Sequence, residues 1–357
     1  MSHDPVRMVD LAARHRRVGA AVEAAVTEVL RGGRYVGGSV VERAVAAVAL
    51  RFGWRHGVGV NSGTDALIYG LQALGVRAGD EVVVPAVTFF ATAGAVCRLG
   101  AVPVVADVRA DLPLLDPERL PLSPRTRAVV AVHLYGEACP LPELPVPVLD
   151  DSAQAAGADP PPRTGVAAAV SFYPTKTLGA AGDGGAVLSD DEDLLGRVRL
   201  LTHHGIDRDY TAEAVDGVVG ANSRLDALQA AVLSVHLADL PRRVARRRQI
   251  AARYDAELPP WVTRLPRSPG HPVHQYVVTV PDRHRVVPAL AVAGIHTAVY
   301  YPVPLSAQPA LVGRARVPHA TPHADAFCAA CLALPVHEEL GDDEVDRVLA
   351  AFRRLVP

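Results

Sequence analysis

The chain has 357 residues, 50% of them hydrophobic, 21% charged and 5% aromatic, with a formal net charge of −2. That apolar content excludes a disordered chain, no run approaches the roughly 18 apolar residues of a membrane span, and near-neutrality argues against nucleic acid as the main partner. The charged start MSHDPVRMVD offers no apolar core for a secretory leader, and four cysteines make no disulfide framework, so a cytoplasmic protein is expected.

Val18 to Leu30 and Val40 to Leu50 read as helices, separated by Gly32-Gly33 and Gly37-Gly38 around Arg34-Tyr35. Gly57 to Val60 is a short apolar strand, followed by Asn61-Ser62-Gly63-Thr64 and a helix over Asp65 to Leu74. Strands at Glu81–Val84, Val102–Ala106, Ala128–His133, Val146–Leu149, Ala167–Phe172 and Gly185–Ser189 then follow, with a helix at Ala91–Leu99. Such alternation predicts an α/β fold, a mostly parallel sheet with helices on both faces, and ligand residues just beyond the carboxyl ends of strands. Arg224–Leu237 and Arg242–Leu258 read as two helices around Pro241. The second carries six arginines from Arg242 to Arg253, without aromatics, and is expected to be a solvated face. Gln275–Val280 reads as a strand, and Val286–Ala293 and Glu344–Leu355 as helices. The change of texture near Pro259-Pro260 puts a domain boundary between about 240 and 260.

Of the 36 basic residues, one is a lysine, Lys176, and 35 are arginines. Arginine stays protonated and cannot serve as an amine nucleophile, so any imine chemistry on a side chain runs through Lys176. It follows a strand in AVSFYPTK and precedes the glycine-rich LGAAGDGG, a place suited to a ligand-facing amine whose pKa burial lowers. Asn61-Ser62-Gly63-Thr64, between strand and helix, is either a phosphate cradle or an ordinary helix N-cap. Its glycine spacing fails the dinucleotide-binding fingerprint, against a nicotinamide oxidoreductase. In Leu149-Asp150-Asp151-Ser152-Ala153-Gln154 a carboxylate at a strand end suits a cationic ligand group, or else caps a helix.

Taken in order, VGVNSGTDAL, GDEVVVPAVTFFATAGAV, VAVHLYG, LDDSAQAAGA, SFYPTKTLGAAGDGG and GANSRLDALQAAVL resemble the DegT/DnrJ/StrS-type sugar aminotransferases from about residue 28 to the C-terminus. These are pyridoxal 5′-phosphate enzymes of the aspartate-aminotransferase fold (fold type I). The resemblance implies a large cofactor-binding domain with a mostly parallel mixed sheet over residues 1–245, and a small C-terminal α+β domain over 246–357. It makes Lys176 the Schiff-base lysine and the base of the proton shift, Asp151 the partner of the pyridinium nitrogen, Gln154 a contact near the ring hydroxyl and Phe89 the stacking ring, whose alternative is core packing. Gly63, Thr64 and Ser171 would bind the phosphate. Asn222 would reach the cofactor of the other subunit in a homodimer with shared active sites. Tyr35, Asp183, Arg224 and Tyr301 are candidates for the substrate side, Tyr35 being otherwise a plain loop aromatic.

Glutamate is the implied amino donor, and the implied acceptor is a nucleotide-linked keto-sugar, carbon 3 of a dTDP-3-keto-6-deoxyhexose for a natural product. Alternatives are a carbon-4 aminotransferase, whose members more often carry Glu where Asp183 stands, and a pyridoxal-phosphate-binding regulatory protein of the same fold. Sugar dehydratases of this fold carry His at the position of the lysine. The chain departs from its subgroup at Thr177, where Asn is usual, and in Tyr300–Pro309, which lacks two usual histidines. His319, His323, Cys328 and Cys331 could in principle ligate zinc, but their spacer is short and a plain helix is expected there; no metal is implied. Cys97 and Cys139 read as buried apolar residues, and His203-His204 as support behind the site.

Overall fold

In the computed structural model, residues 4–207 and 209–355 are described. Ten strands and nine α-helices occur among them, and seven of the strands form one sheet. These are β1 (His56–Val60), β2 (Glu81–Pro85), β3 (Val102–Ala106), β4 (Thr126–Val132), β5 (Val148–Asp151), β6 (Ala167–Ser171) and β7 (Gly185–Ser189), in the order β1-β7-β6-β5-β4-β2-β3. Strands β2 to β6 pair in parallel, while β7 runs antiparallel to both β6 and β1.

The strands are mostly apolar because helices cover both faces, with polar residues such as Glu81 and Asp150-Asp151 at their ends. Along β6, Ala167 and Ala169 pack into one core and Ala168 and Val170 into the other; along β7, Val187 opposes Ala186 and Leu188. Helices α3 (Gly63–Ala73), α4 (Ala91–Arg98) and α5 (Glu192–Leu201) close the first core through Leu67, Leu71, Val96 and Leu195. The second is closed by α2 (Ser39–Arg51) and α6 (Ala227–Glu257) through Val48, Leu233 and Leu240. Helix α1 (Leu11–Gly32) is capped at its start by Asp10, which accepts from the Ala13 N–H at 2.8 Å.

A second, antiparallel sheet comprises β8 (Thr263–Arg264), β9 (Tyr276–Thr279) and β10 (Cys331–Leu334), in the order β10-β9-β8. With α7 (Arg283–Val292) and α9 (Asp342–Arg354) it buries Tyr276, Leu290, Val348 and Phe352, and Val6 joins this core by pairing with Ile295. Helix α8 (Pro322–Ala330) precedes β10.

Two expectations are corrected. The two helices around Pro241 are one, α6, 31 residues long with Pro241 inside it. Proline removes one intrahelical donor. Burial of Leu233, Leu240 and Val244 on one side and of Ile250 and Tyr254 further along offsets that cost. Arg224 therefore lies ahead of the helix. The arginine run is also not wholly solvated: Arg243 and Arg247 are fully buried.

Candidate active site

The carboxyl ends of β5 and β6 and the amino end of α3 converge on a cavity of about 590 Å³. Of the residues expected to form a site, Gly63, Thr64, Phe89, Asp151, Gln154, Ser171, Lys176, Asp183 and Tyr301 line it.

The loop from β1 delivers Ser62 as the N-cap of α3, its hydroxyl accepting from the Asp65 N–H at 3.1 Å. The first N–H groups of a helix have no intrahelical acceptor, so those of Gly63 and Thr64 open toward the cavity end. A Cβ at Gly63 would sit 2.6 Å from the Ser171 Cβ, and one at Gly185 would sit 2.4 Å from the Ser62 carbonyl oxygen. Glycine at both positions lets three backbones meet, placing the Ser171 hydroxyl beside the helix terminus. Cap and cradle are compatible: Ser62 performs the first role and leaves Gly63, Thr64 and Ser171 for an anion.

Asp150 and Asp151 are both buried. Asp150 accepts from the Thr164 and Gly165 N–H groups at 3.0 and 2.9 Å, a structural role. Asp151 faces the cavity and accepts from Thr92 Oγ1 at 3.0 Å and from the Ala153 N–H at 3.2 Å. Burial pushes its pKa up, against the hydrogen bonds and the charge of Lys176. Lys176 is partly accessible through the cavity. Desolvation lowers the pKa of its amine, with Asp151 acting in the opposite sense. The site thus juxtaposes an amine whose pKa burial lowers and a buried carboxylate whose pKa burial raises.

Gln154 is fixed on both sides, its Oε1 accepting from the Tyr135 N–H at 2.6 Å and its Nε2 donating to Tyr301 Oη at 3.3 Å. Tyr135 donates its hydroxyl proton to the Tyr300 carbonyl. Phe89 is 58% exposed, so it is not a core residue, and its ring centroid lies 6.1 Å from that of Tyr301.

Three expected residues lie elsewhere. Tyr35 is exposed and spends its carbonyl on the Ala227 N–H; Asn222 is exposed and bridges to His203; Arg224 contacts His203 Nδ1 at 3.2 Å. None lines the cavity, and neither do the exposed His203 and His204. Of the four zinc candidates, Cys328 and Cys331 are core residues, His323 turns to Asp107 and the Val108 carbonyl, and His319 is exposed. No group of three or more His, Cys, Asp or Glu among the described residues could hold a metal. Cys139 is buried and Cys97 partly so.

Sequence reasoning missed Thr92, the donor to Asp151, and Thr88, bonded to it at 2.9 Å. Their spacing of four at the start of a helix was the available signal. It also missed His274, which lines the cavity and meets Thr177 Oγ1 through Nδ1 at 3.1 Å. No local pattern links residues so distant in the chain.

The model of the DegT/DnrJ/EryC1/StrS aminotransferase family matches residues 17–353. The dTDP-3-amino-3,4,6-trideoxy-alpha-D-glucose transaminase of Streptomyces venezuelae is 38% identical, covering 98% of this chain and 95% of its own length. The pleiotropic regulatory protein of Geobacillus stearothermophilus is 35% identical over 96% of each. The solved structure of NtdA from Bacillus subtilis with bound cofactor PMP superposes with a TM-score of 0.90 at 26% identity, covering 99% of this chain and 85% of that one.

Proposed function

Since the chain belongs to the DegT/DnrJ/EryC1/StrS aminotransferase family, we propose that it transfers an amino group from glutamate to carbon 3 of a dTDP-3-keto-6-deoxyhexose. Pyridoxal 5′-phosphate is the cofactor. The observation that carries the reading is the sole lysine, its amine desolvated in a cavity that it shares with the buried carboxylate of Asp151.

The residues fit the cofactor. Lys176 has no side-chain hydrogen bond among the described residues, Asp151 has one hydroxyl and one N–H donor, and a Cβ would fill the cradle at Gly63. When bound, pyridoxal 5′-phosphate supplies the electron sink that lets an amino group pass between an amino acid and a keto-sugar. Lys176 would attach it and, with a lowered pKa, take up and return the proton that moves between carbons. Asp151 would hold the ring nitrogen. The Gly63 and Thr64 N–H groups and the Ser171 hydroxyl would hold the phosphate, and Phe89 would cover the ring. Gln154, locked by Tyr135 and Tyr301, would bear on the ring hydroxyl. Asp183 and Tyr301, on the cavity wall, would face the sugar.

The same reading makes the protein a cytoplasmic homodimer. Its four cysteines are free thiols, and no helix among the described residues is long and apolar enough to cross a membrane. Asn222 and Tyr35 are exposed, Arg224 is half-buried, and the Val36–Asp226 pairing brings their two segments together, which supports their working across a subunit contact, toward the partner's site. The proposed division into residues 1–245 and 246–357 falls within α6.

Incubation of the cofactor-loaded enzyme with glutamate and a panel of dTDP-3-keto and dTDP-4-keto sugars tests the assignment by mass spectrometry. Amination of a 3-keto sugar is expected. Amination of 4-keto sugars alone would move the reaction to carbon 4, and tight cofactor binding without turnover would favour a regulatory protein.

A further inference from the structure

Four charged side chains outside the cavity are buried together: Arg14, Arg243, Arg247 and Glu338. They come from α1, α6 and the segment after β10, so only the folded chain assembles them. Glu338 accepts from Arg14 Nε at 2.7 Å and from Arg247 Nη2 at 2.9 Å, and its Oε1 lies 3.9 Å from Arg243 Nε. Arg243 is held as well by Asp239, at 2.7 Å. Burial would raise the Glu338 pKa, but Arg247, Arg14 and Arg243 hold it far below the usual carboxylate range, so the carboxylate stays charged. A carboxylate in such a place is costly unless its lone pairs are used, and here two guanidiniums use both oxygens.

The other ends of these guanidiniums reach the site. Arg14 Nη1 donates to the Pro174 carbonyl at 2.9 Å, two residues before Lys176, and Arg243 Nη1 donates to the Thr177 carbonyl at 3.4 Å, one residue after it. Arg247 Nη1 donates to the carbonyls of His274, at 3.0 Å, and Val336, at 2.8 Å. His274 closes the circuit through Thr177 Oγ1. The loop carrying the amine is therefore gripped on both sides of Lys176: the Pro174 grip leads through Arg14 to Glu338, and the Thr177 grip leads to Arg243, which Asp239 holds and Glu338 faces at 3.9 Å.

We propose that Glu338 is a positioning residue for Lys176, fixing the lysine loop through Arg14 and the facing His274 segment through Arg247. This rests on the reading of Lys176 as the cofactor-bearing lysine. With Glu338→Gln, Arg14 and Arg247 lose their charged anchor while Asp239 still holds Arg243, so the Pro174 carbonyl and the His274 segment loosen and the amine samples water.

Because the chain holds one lysine, trinitrobenzenesulfonate labelling of the cofactor-free protein, followed in the peptide containing residue 176, reads this amine directly. Glu338→Gln is expected to raise the limiting labelling rate of the free amine at alkaline pH about 10-fold and to move its pH midpoint up toward ordinary lysine behaviour. In the loaded enzyme kcat should fall while KM for the sugar stays unchanged, and Glu338→Asp, which keeps the charge, should restore part of both. Arg14→Gln, which removes the Pro174 tie and one of the two guanidinium partners of Glu338, carries the test if Glu338→Gln does not fold, and should shift labelling in the same direction. A variant with lowered thermal stability but the wild-type labelling profile would overturn the proposal. Borohydride reduction of the wild type with pyridoxal phosphate separates the two ideas: absence of an adduct at residue 176 sinks the cofactor reading and leaves the labelling comparison intact.

Discussion

Asp150 and Asp151 are neighbours on β5 and serve opposite sides of the sheet. Asp150 ties down the loop at Thr164-Gly165, and Asp151 enters the cavity with Thr92 as its donor. Strand pleating alone separates the two carboxylates into a structural and a chemical role. Asp151→Asn should preserve folding and lower kcat roughly 100- to 1000-fold, because the neutral amide cannot offset a cationic ring nitrogen. Asp150→Ala should instead cost about 2–3 kcal/mol in denaturant unfolding through two lost charge-assisted bonds, with a much smaller effect on kcat.

The Thr92 hydroxyl holds the Asp151 pKa down against burial. Thr92→Val removes that donor at nearly constant volume. The acid limb of the kcat/KM profile should move to higher pH, and an unchanged limb would show that Asp151 is governed by other groups.

Gly63→Ala should weaken cofactor binding more than it weakens the fold. The new Cβ would meet Ser171 at 2.6 Å, so either the strand end or the helix start shifts. Overpacking of this kind costs about 1–3 kcal/mol in unfolding. Fluorescence titration with pyridoxal phosphate should show a raised Kd, whereas Gly79→Ala, at a turn with open space around it, should leave Kd alone.

Buried histidines govern stability in mild acid, His274 among them, lowered by burial and then by the charges of Lys176 and Arg247. Burial, helped by nearby arginines, lowers His271 to about 3 and His236 and His337 to about 4. Their unfolded values lie near 6.5, so between pH 6.5 and about 4 the unfolded chain binds protons that the folded chain refuses, and stability falls as pH falls. Each contributes on the order of 3 kcal/mol across that window. Asp151, with a raised pKa, acts in the opposite sense. Unfolding midpoints should therefore drop from pH 7 to pH 5, and His271→Gln should flatten the slope by about one proton.

The stations of the site were legible because each is a local word at a strand end: NSGT before α3, LDD closing β5, SFYPTK after β6. The sheet was legible for the same reason, since runs such as Glu81–Pro85 admit few other readings once both faces are covered. What stayed hidden was non-local. The break imagined at Pro241 ignored the packing that carries a helix past a proline. The arginines of α6 looked solvated because the carboxylate that buries Arg247 stands 91 positions away. His274 and Thr177 meet only after the second sheet has docked. Tyr35 and Arg224 lie off the cavity that they were expected to line, whereas Asn222, expected to reach another subunit's cofactor, was not expected in it.

The unbroken run of α6 bears on how this protein can breathe. At about 1.5 Å per residue its 31 residues make a rod of roughly 46 Å. Leu233 and Leu240 are embedded at one end and Ile250 and Tyr254 at the other. A rod anchored at both ends offers no joint between the two sheets along that connection. Admission of a bulky ligand therefore falls to surface segments at the cavity mouth, around Phe89 and Tyr300–Tyr301, and the rate of entry should follow the mobility of those segments rather than any swing of the C-terminal layer.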